Sequence, residues 1–235
     1  MIWRKENSLI ICEVPSFFIA TTTKEFFKEK FVKKDINIPY LTEEKKSALF
    51  SFLEYYNLEK NKILLCEQVH SNKVIFVEEL NNINSFYVKN KEIFIFKDID
   101  GIITTLNEAA VVIFTADCIP LFVFSKKGGI FGLVHIGRRG LEEGICEQLI
   151  LSLKSKSLQP NDFFYILGPH ICPNCYSVDD QPYSLFEKLN LCFHKLFVDT
   201  NNLLNSNICT YHNFDFFSYR KDKTSMRNLS IIFSL

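Results

Sequence analysis

The stretch VVIFTADCIPLFVF, Val111 to Phe124, decides how this chain reads. Two apolar runs, Val111–Thr115 and Pro120–Phe124, flank a polar break at Thr115-Ala116-Asp117-Cys118. Runs of this length, apolar at every position, suit strands buried on both faces. They are far too short to span a bilayer. The break sets an acid and a thiol side by side where one strand ends and the next begins. A packed core has no use for that pair, whereas a reaction centre has.

Working outward, "GIITT" from residue 101 and "IFGLVHI" from residue 130 extend a dense β region, with Lys126–Gly129 as a turn. On the N-terminal side, "LIICEV" and "FFIATT" read as strands joined by Pro15-Ser16. "KILLCEQVH" and "KVIFVEEL" read as strands separated by Ser71-Asn72. Further on, "FFYILGPHI", "ICTYH" and "LSIIFS" are the last strands. Thr42 reads as an N-cap with Glu43 and Glu44 in the first turn, and Leu49, Phe52, Leu53 and Tyr56 on one helical face. A second helix starts near Gly140 with Leu141, Ile145, Leu149 and Leu153 inward. A third is capped by Asp179 or Asp180 and buries Leu185, Leu189, Phe193 and Leu196. The lysine-rich segment 24–39 reads as loop or short helix, and the polar segment 81–92 as a surface loop. The expected architecture is a single α/β or α+β domain over residues 1–235, with mixed β-sheets flanked by helices.

Composition narrows the function classes. The 235 residues are 47% hydrophobic and 23% charged, ordinary for a globular protein with a sizeable core. Lys plus Arg and Asp plus Glu number 27 each, so no net positive charge points to nucleic acid. The first residues show no small-residue cleavage site and read as no secretory signal. Eight scattered cysteines then suit reduced thiols in the cytoplasm, with no membrane partner expected.

Polar residues at the ends of apolar strands are the candidates for chemistry. They are His70 after "LLCEQV", Asp117 and Cys118 after "VVIFTA", and His135 after "IFGLV". Neighbouring strand ends converge in space. Two imidazoles and a thiolate suit zinc with one position left for water. The same atoms suit a thiol–imidazole nucleophile, and an isolated histidine at a strand end is commonly just hydrogen-bonded structure. "HIGRRGLEEG", residues 135–144, brackets two arginines with glycines before a helix, a pattern for phosphate or carboxylate or for a tight solvated turn. "FFSYRKDKTSMR", residues 216–227, concentrates Ser218, Arg220, Lys221 and Lys223 and reads by default as a solvated run.

The motifs "CEQVHSNKV", "DIDGIITT", "FTADCIPLFVF", "GLVHIGRRG", "LGPHICPNCYSV" and "CTYHNFDFFSYRKDKTSMR", in that order from Cys66 to Arg227, resemble those of the YfiH-like family. That family is also called the multicopper polyphenol oxidase or laccase-domain family and the peptidoglycan editing factor family. The resemblance implies an α/β fold with mixed sheets, grouped with cysteine hydrolases, and a metal site at His70, Cys118 and His135. It implies zinc, with copper possible, and action on purine nucleosides: phosphorolysis of adenosine, inosine and methylthioadenosine, and deamination of adenosine. Gln68 and Asp117 are then expected to orient ligands or move protons beside Cys118. Arg139 and Arg220 are the phosphate candidates, and Asp100 is expected near the pocket or in turn chemistry before Gly101. The rival expectations are a cysteine hydrolase of cell-wall precursors with Cys118 as nucleophile, a copper-dependent phenol oxidase, and a non-catalytic binding protein. Three departures stand out. Arg138 replaces a tryptophan of the family pattern. The N-terminal motif survives only as "TTTKEFFKEK", with Lys24 for an arginine and a possible Asn37. Cys172 and Cys175 form a C-x-x-C pair that reads as incidental for want of a partner pair.

Overall fold

A computed structural model describes residues 2–30, 41–55, 61–81, 83–88 and 90–235. Asn37 and Tyr56 lie outside the described residues. Two large sheets carry the chain. The larger has eight strands in the order Trp3–Glu6, Leu9–Val14, Phe17–Thr22, Asn228–Ser234, Ala109–Thr115, Lys62–Cys66, Lys91–Phe96 and Ser85–Val88. The smaller has six, in the order Leu203–Asn205, Phe163–Leu167, Ile119–Ser125, Phe131–Ile136, Gly101–Thr104 and Val74–Val77. Both mix parallel and antiparallel pairs; Lys62–Cys66 runs parallel to both of its neighbours.

The period-two geometry of a strand explains why the central runs are apolar throughout. Val111 and Ile113 pack into the core shared by the two sheets, with Phe122, Phe131, Leu133 and Ile166 opposite. Ala110, Val112 and Phe114 face the other way, onto Leu49, Phe52 and Leu53 of the helix Glu43–Tyr55. In the smaller sheet, Ile119, Leu121 and Val123 face Ile145, Leu149, Leu189 and Phe193 on the helices Ile145–Lys154 and Leu185–Lys195. The layers are helix, sheet, sheet, helix. Each fully buried leucine in them, such as Leu49, contributes about 1.5–3 kcal/mol of transfer free energy.

The polar break at 115–118 is where the chain leaves one sheet and enters the other. Thr115 ends a strand of the larger sheet, and Ile119 begins one of the smaller. His135 shares its face with Phe131 and Leu133, the face turned to the inter-sheet core, and stands in register with Pro120. Thiol and imidazole therefore meet at one end of the double sheet.

Close approach of strands makes Gly132 indispensable. A Cβ there would lie 2.2 Å from the Ile102 carbonyl oxygen and 2.8 Å from the Ile103 Cα. Backbone cannot yield as a flexible side chain can. Gly132→Ala is expected to cost about 3 kcal/mol or more, lowering Tm by roughly 6–12 °C. Urea unfolding with an unchanged m-value checks it; a loss below about 0.5 kcal/mol, the range of ordinary surface changes, would contradict it.

Several expected elements change on inspection. The helix expected from Gly140 is two: Arg138–Glu142 and Ile145–Lys154, divided at Gly144, whose φ of +91° breaks the run. The cap of the third helix is Ser184, whose hydroxyl accepts from the Glu187 amide. Asp179 and Asp180 instead turn a small hairpin with φ of +48° and +58°. Residues 85–88, expected as loop, form an edge strand. "ICTYH" is not a strand; it keeps one isolated bridge, Cys209 to His170. The strand before His70 ends at Cys66, so His70 sits on a loop.

Candidate metal centre and its cavity

The loop after Cys66 is bent sharply. Gln68 and His70 both adopt left-handed backbone, φ +57° and +61°, a conformation costly for residues with a Cβ unless surrounding bonds impose it. Asp100 imposes it. Its carboxylate, fully buried, accepts from the amides of Val69, His70 and Ser71 at 3.2, 3.1 and 2.7 Å and from the Ser71 hydroxyl at 2.8 Å. The same carboxylate meets His135 Nδ1 at 2.7 Å, leaving Nε2 as the ring's other donor atom. Asp100 thus holds one histidine through the backbone and the other through its ring.

Across from it stands Cys118, its Sγ 3.9 Å from His70 Nε2. The two imidazoles cross edge to face with centroids 4.7 Å apart. Ligand atoms of His70, Cys118 and His135 all lie within 4.8 Å of one another. Room for this convergence comes from Gly137, where a Cβ would stand 3.0 Å from the His70 ring and 3.2 Å from the Cys118 sulfur. The donor set fits a metal ion: two nitrogens and a thiol sulfur, soft to borderline, in the number typical of a catalytic rather than a closed site.

Burial raises the Cys118 thiol, but the charge of His135 and hydrogen bonds from His135 and His70 outweigh it and bring it down to about 6. Burial lowers His135 in turn, and Cys118 and Asp100 together lift it to about 9. For Asp100, burial works upward and the His135 and Ser71 contacts overcome it, holding the carboxyl below its ordinary range.

The trio opens into a cavity of about 680 Å³. Gln68 lines it, but its amide is spent on the backbone: Nε2 donates to the Phe114 carbonyl at 2.8 Å and Oε1 accepts from the Phe114 amide at 2.9 Å. Asp117, at φ +93°, also lines it. Its carboxylate accepts from the Thr210 hydroxyl and the Arg220 amide, both at 2.7 Å. Arg220 also lines it, its guanidinium 4.9 Å above the Tyr176 ring and donating to the Ser177 carbonyl. Arg138 lines the cavity beside its ion pair with Glu142.

Two expected residues are placed elsewhere. Arg139 points away to solvent and pairs with Glu143 at 2.6 Å; it is absent from the cavity lining. On a helix beginning at Arg138, adjacent residues diverge by about 100°, so only one arginine can face the site. Asp100 lies behind the histidines, with its oxygens occupied by the protein, and takes no part of the cavity wall.

Further cations enter, of which Lys45 and Arg227 are ones that sequence reading missed. Lys45, Lys223 and Arg227 join Arg138 and Arg220, setting five cationic side chains against the single carboxylate of Asp117. Burial depresses the Lys45 ammonium, and Arg227 nearby adds to the shift. Lys45 comes from a helix whose signal is purely structural, and Arg227 from a segment resembling a solvated charge run. Nothing local distinguishes either.

A family model described as multi-copper polyphenol oxidoreductase laccase matches residues 46–199. The chain belongs to that laccase family. It is the YfiH-like family of the motif resemblance. Among curated laccase-family relatives, a Campylobacter jejuni protein named purine nucleoside phosphorylase is 28% identical over 217 residues, 85% of this chain and 88% of that one. One from Clostridium acetobutylicum with the same name is 28% identical, covering 88% of this chain and 94% of its own. Solved structures share the fold. YlmD from Geobacillus stearothermophilus superposes with TM-score 0.78 at 20% identity, covering 99% of this chain and 98% of that one. YfiH from Bacillus licheniformis gives 0.79 at 16% identity, covering 99% of each. The laccase-family chain is thus a mixed α+β protein, as expected. No helix among its described residues is long and apolar enough to cross a membrane.

Proposed function

We propose that this chain is a metal-dependent purine nucleoside enzyme whose principal reaction is phosphorolysis, with zinc on His70, Cys118 and His135. One observation carries the reading: a single cavity joins that donor set to a wall rich in cations and aromatic rings. Purine rings stack on aromatic faces, and phosphate needs fixed positive charge. The names of the curated relatives agree with it. Copper suits the same donors.

In phosphorolysis a phosphate oxygen attacks the ribose C1′ and the bond from C1′ to the base nitrogen breaks. The bonding pair leaves with the base, which takes up a proton. Lys45 and Arg227 are the groups we assign to phosphate. No carboxylate among the described residues is paired with Lys45, so its charge is available to an anion. Arg220, braced on Tyr176 and Ser177, shares that duty. Asp117 keeps the Arg220 segment against the cavity and is the carboxylate positioned to relay a proton to the base. Gln68, fixed on Phe114, holds the His70 loop in place. A bound ion supplies Lewis acidity at the reacting end of the cavity. Adenosine deamination, in which water replaces the 6-amino group and ammonia leaves, is the second activity proposed for this site. Arg138, in place of the family tryptophan, is expected to retune substrate choice.

The test is adenosine, inosine and methylthioadenosine each incubated with and without phosphate, with product separation. Adenine plus ribose 1-phosphate, formed only with phosphate, is the expected result. Inosine from adenosine without phosphate would establish deamination. No turnover of any of them by metal-replete protein would overturn the reading. Lys45→Met is expected to raise the phosphate KM about tenfold or more, the scale of one lost charged hydrogen bond, with little change in nucleoside KM.

The lowered Cys118 thiol beside His135 favours one rival, a cysteine hydrolase acting on cell-wall precursors. That rival requires activity that survives chelation and dies on thiol alkylation. The metal reading requires activity lost on chelation and restored by zinc.

A further inference from the structure

The C-x-x-C pair at Cys172 and Cys175 has a partner after all. Cys209-Thr-Tyr-His212 supplies a second pair at the same spacing, 37 residues along the chain. Folding brings the pairs together: one ligand atom from each of Cys172, Cys175, Cys209 and His212 lies within 4.8 Å of the other three. We propose that these four residues bind a second metal ion, zinc by the nature of the donors, which clamps two loops and so fixes the wall of the nucleoside cavity.

Three thiols and an imidazole form a closed structural zinc set, with no position left for substrate. His212 Nδ1 stands 3.8 and 3.9 Å from the sulfurs of Cys172 and Cys175, and its Nε2 lies 3.1 Å from the Cys175 sulfur. Tetrahedral zinc with ordinary Zn–S and Zn–N lengths places such atoms roughly 3.6 Å apart. The backbone brings the two loops together and favours a thiolate at Cys209. Cys172-Pro-Asn-Cys175 makes one tight 3₁₀ turn, closed by the Cys175 amide on the Cys172 carbonyl. The Cys172 amide donates to the Cys209 sulfur at 3.3 Å. Donors aimed at a sulfur favour its charged form. All four residues are only partly buried or exposed, so solvent ions can reach them. A disulfide would use two sulfurs and leave the third thiol and His212 without purpose.

The clamp shares no ligand with the His70, Cys118 and His135 centre, yet its neighbours touch that site. Ile171, before Cys172, donates its amide to the Asp117 carbonyl at 3.0 Å. Thr210, after Cys209, donates its hydroxyl to the Asp117 carboxylate. Tyr176, after Cys175, underlies Arg220. These are positioning contacts, and the ion acts on the reaction through them. Binding displaces three thiol protons to solvent and changes no oxidation state. The site stands whatever the cavity turns over.

The experiment is zinc content per chain of full-length protein purified without added metal, for wild type and three variants. About two zinc ions are expected in wild type. His212→Ala, at an exposed position, is expected to lose one and His212→Cys to keep it by completing a four-thiolate set. Cys118→Ala is expected to lose the other ion independently. Cobalt substitution gives a second readout: the three-thiolate charge-transfer absorption of the clamp is lost in His212→Ala, whereas Cys118→Ala loses only the smaller contribution of its single thiolate. Loss of the clamp ion is also expected to lower Tm by about 5 °C or more. Zinc content unchanged by His212→Ala would overturn the proposal. So would a Cys172–Cys175 disulfide in wild-type protein purified under reducing conditions, read by intact mass. Should Cys118→Ala retain both ions while His212→Ala loses one, the nucleoside reading fails and the clamp survives.

Discussion

Cys118→Ala is expected to lower kcat/KM for phosphorolysis by about three orders of magnitude or more, the equivalent of roughly 4 kcal/mol of transition-state stabilisation. The same variant should lose the ion of the His70, Cys118 and His135 centre while remaining folded. The sulfur is the only donor in the trio contributed by the sheet-to-sheet crossing, and its removal leaves two histidines. Cys118 is only partly buried, and no apolar cluster of the core includes it. Its truncation should therefore cost about 1 kcal/mol or less in urea unfolding. Cys118→Ser is expected to resemble alanine, because an uncharged hydroxyl is a poor ligand for zinc. Steady-state kinetics, metal content and unfolding, measured together, check all three statements. Full turnover with the metal retained would remove Cys118 from the site.

Asp100→Ala is expected to do the reverse: to damage fold and metal affinity together without touching substrate. Five donors converge on this carboxylate, including three consecutive amides and His135 Nδ1. Without it, the amides of Val69, His70 and Ser71 and the buried His135 ring lose the acceptor they share, and the left-handed turn at His70 loses what holds it. The expected cost is about 3–5 kcal/mol in stability. Surviving protein should bind the ion about 10–100-fold more weakly, as when other residues that orient a ligand are lost. Asp100→Asn should recover little, since its NH₂ would face amide donors. Metal titration at a temperature where the variant is folded separates the two effects. Affinity equal to wild type would show that His70 and His135 hold their positions unaided.

Much of this was legible in the residues. Unbroken apolar runs at 111–115 and 119–124 announce strands covered on both faces, and the two sheets and flanking helices supply the cover. His70, Cys118 and His135 were found by asking which polar groups end apolar strands, and the fold brings those three together. What stayed hidden depends on direction and distance. Arg138 and Arg139 are adjacent in the chain, and only the helix phase decides which one meets the cavity. Asp100 reads as a turn residue because five hydrogen bonds, from a distant loop and a distant strand, leave no local trace. Lys45 and Arg227 meet the cavity from opposite ends of the chain, a coincidence only tertiary structure creates. The pairs 172–175 and 209–212 sit on loops that a single isolated bridge joins, and neither pair means much alone.

The strand Asn228–Ser234 lies between Phe17–Thr22 and Ala109–Thr115, near the middle of the larger sheet. Its place has a consequence in time. A chain emerging from the ribosome presents residues 17–22 and 109–115 long before residues 228–234 exist to join them. Until then both neighbours show an open edge of unpaired N–H and C=O groups, the condition that invites pairing between nascent chains. Contacts separated by some 200 residues also place the molecule among those that close slowly. Synthesis rate and chaperone supply, more than final stability, should therefore govern how much of this protein accumulates in usable form.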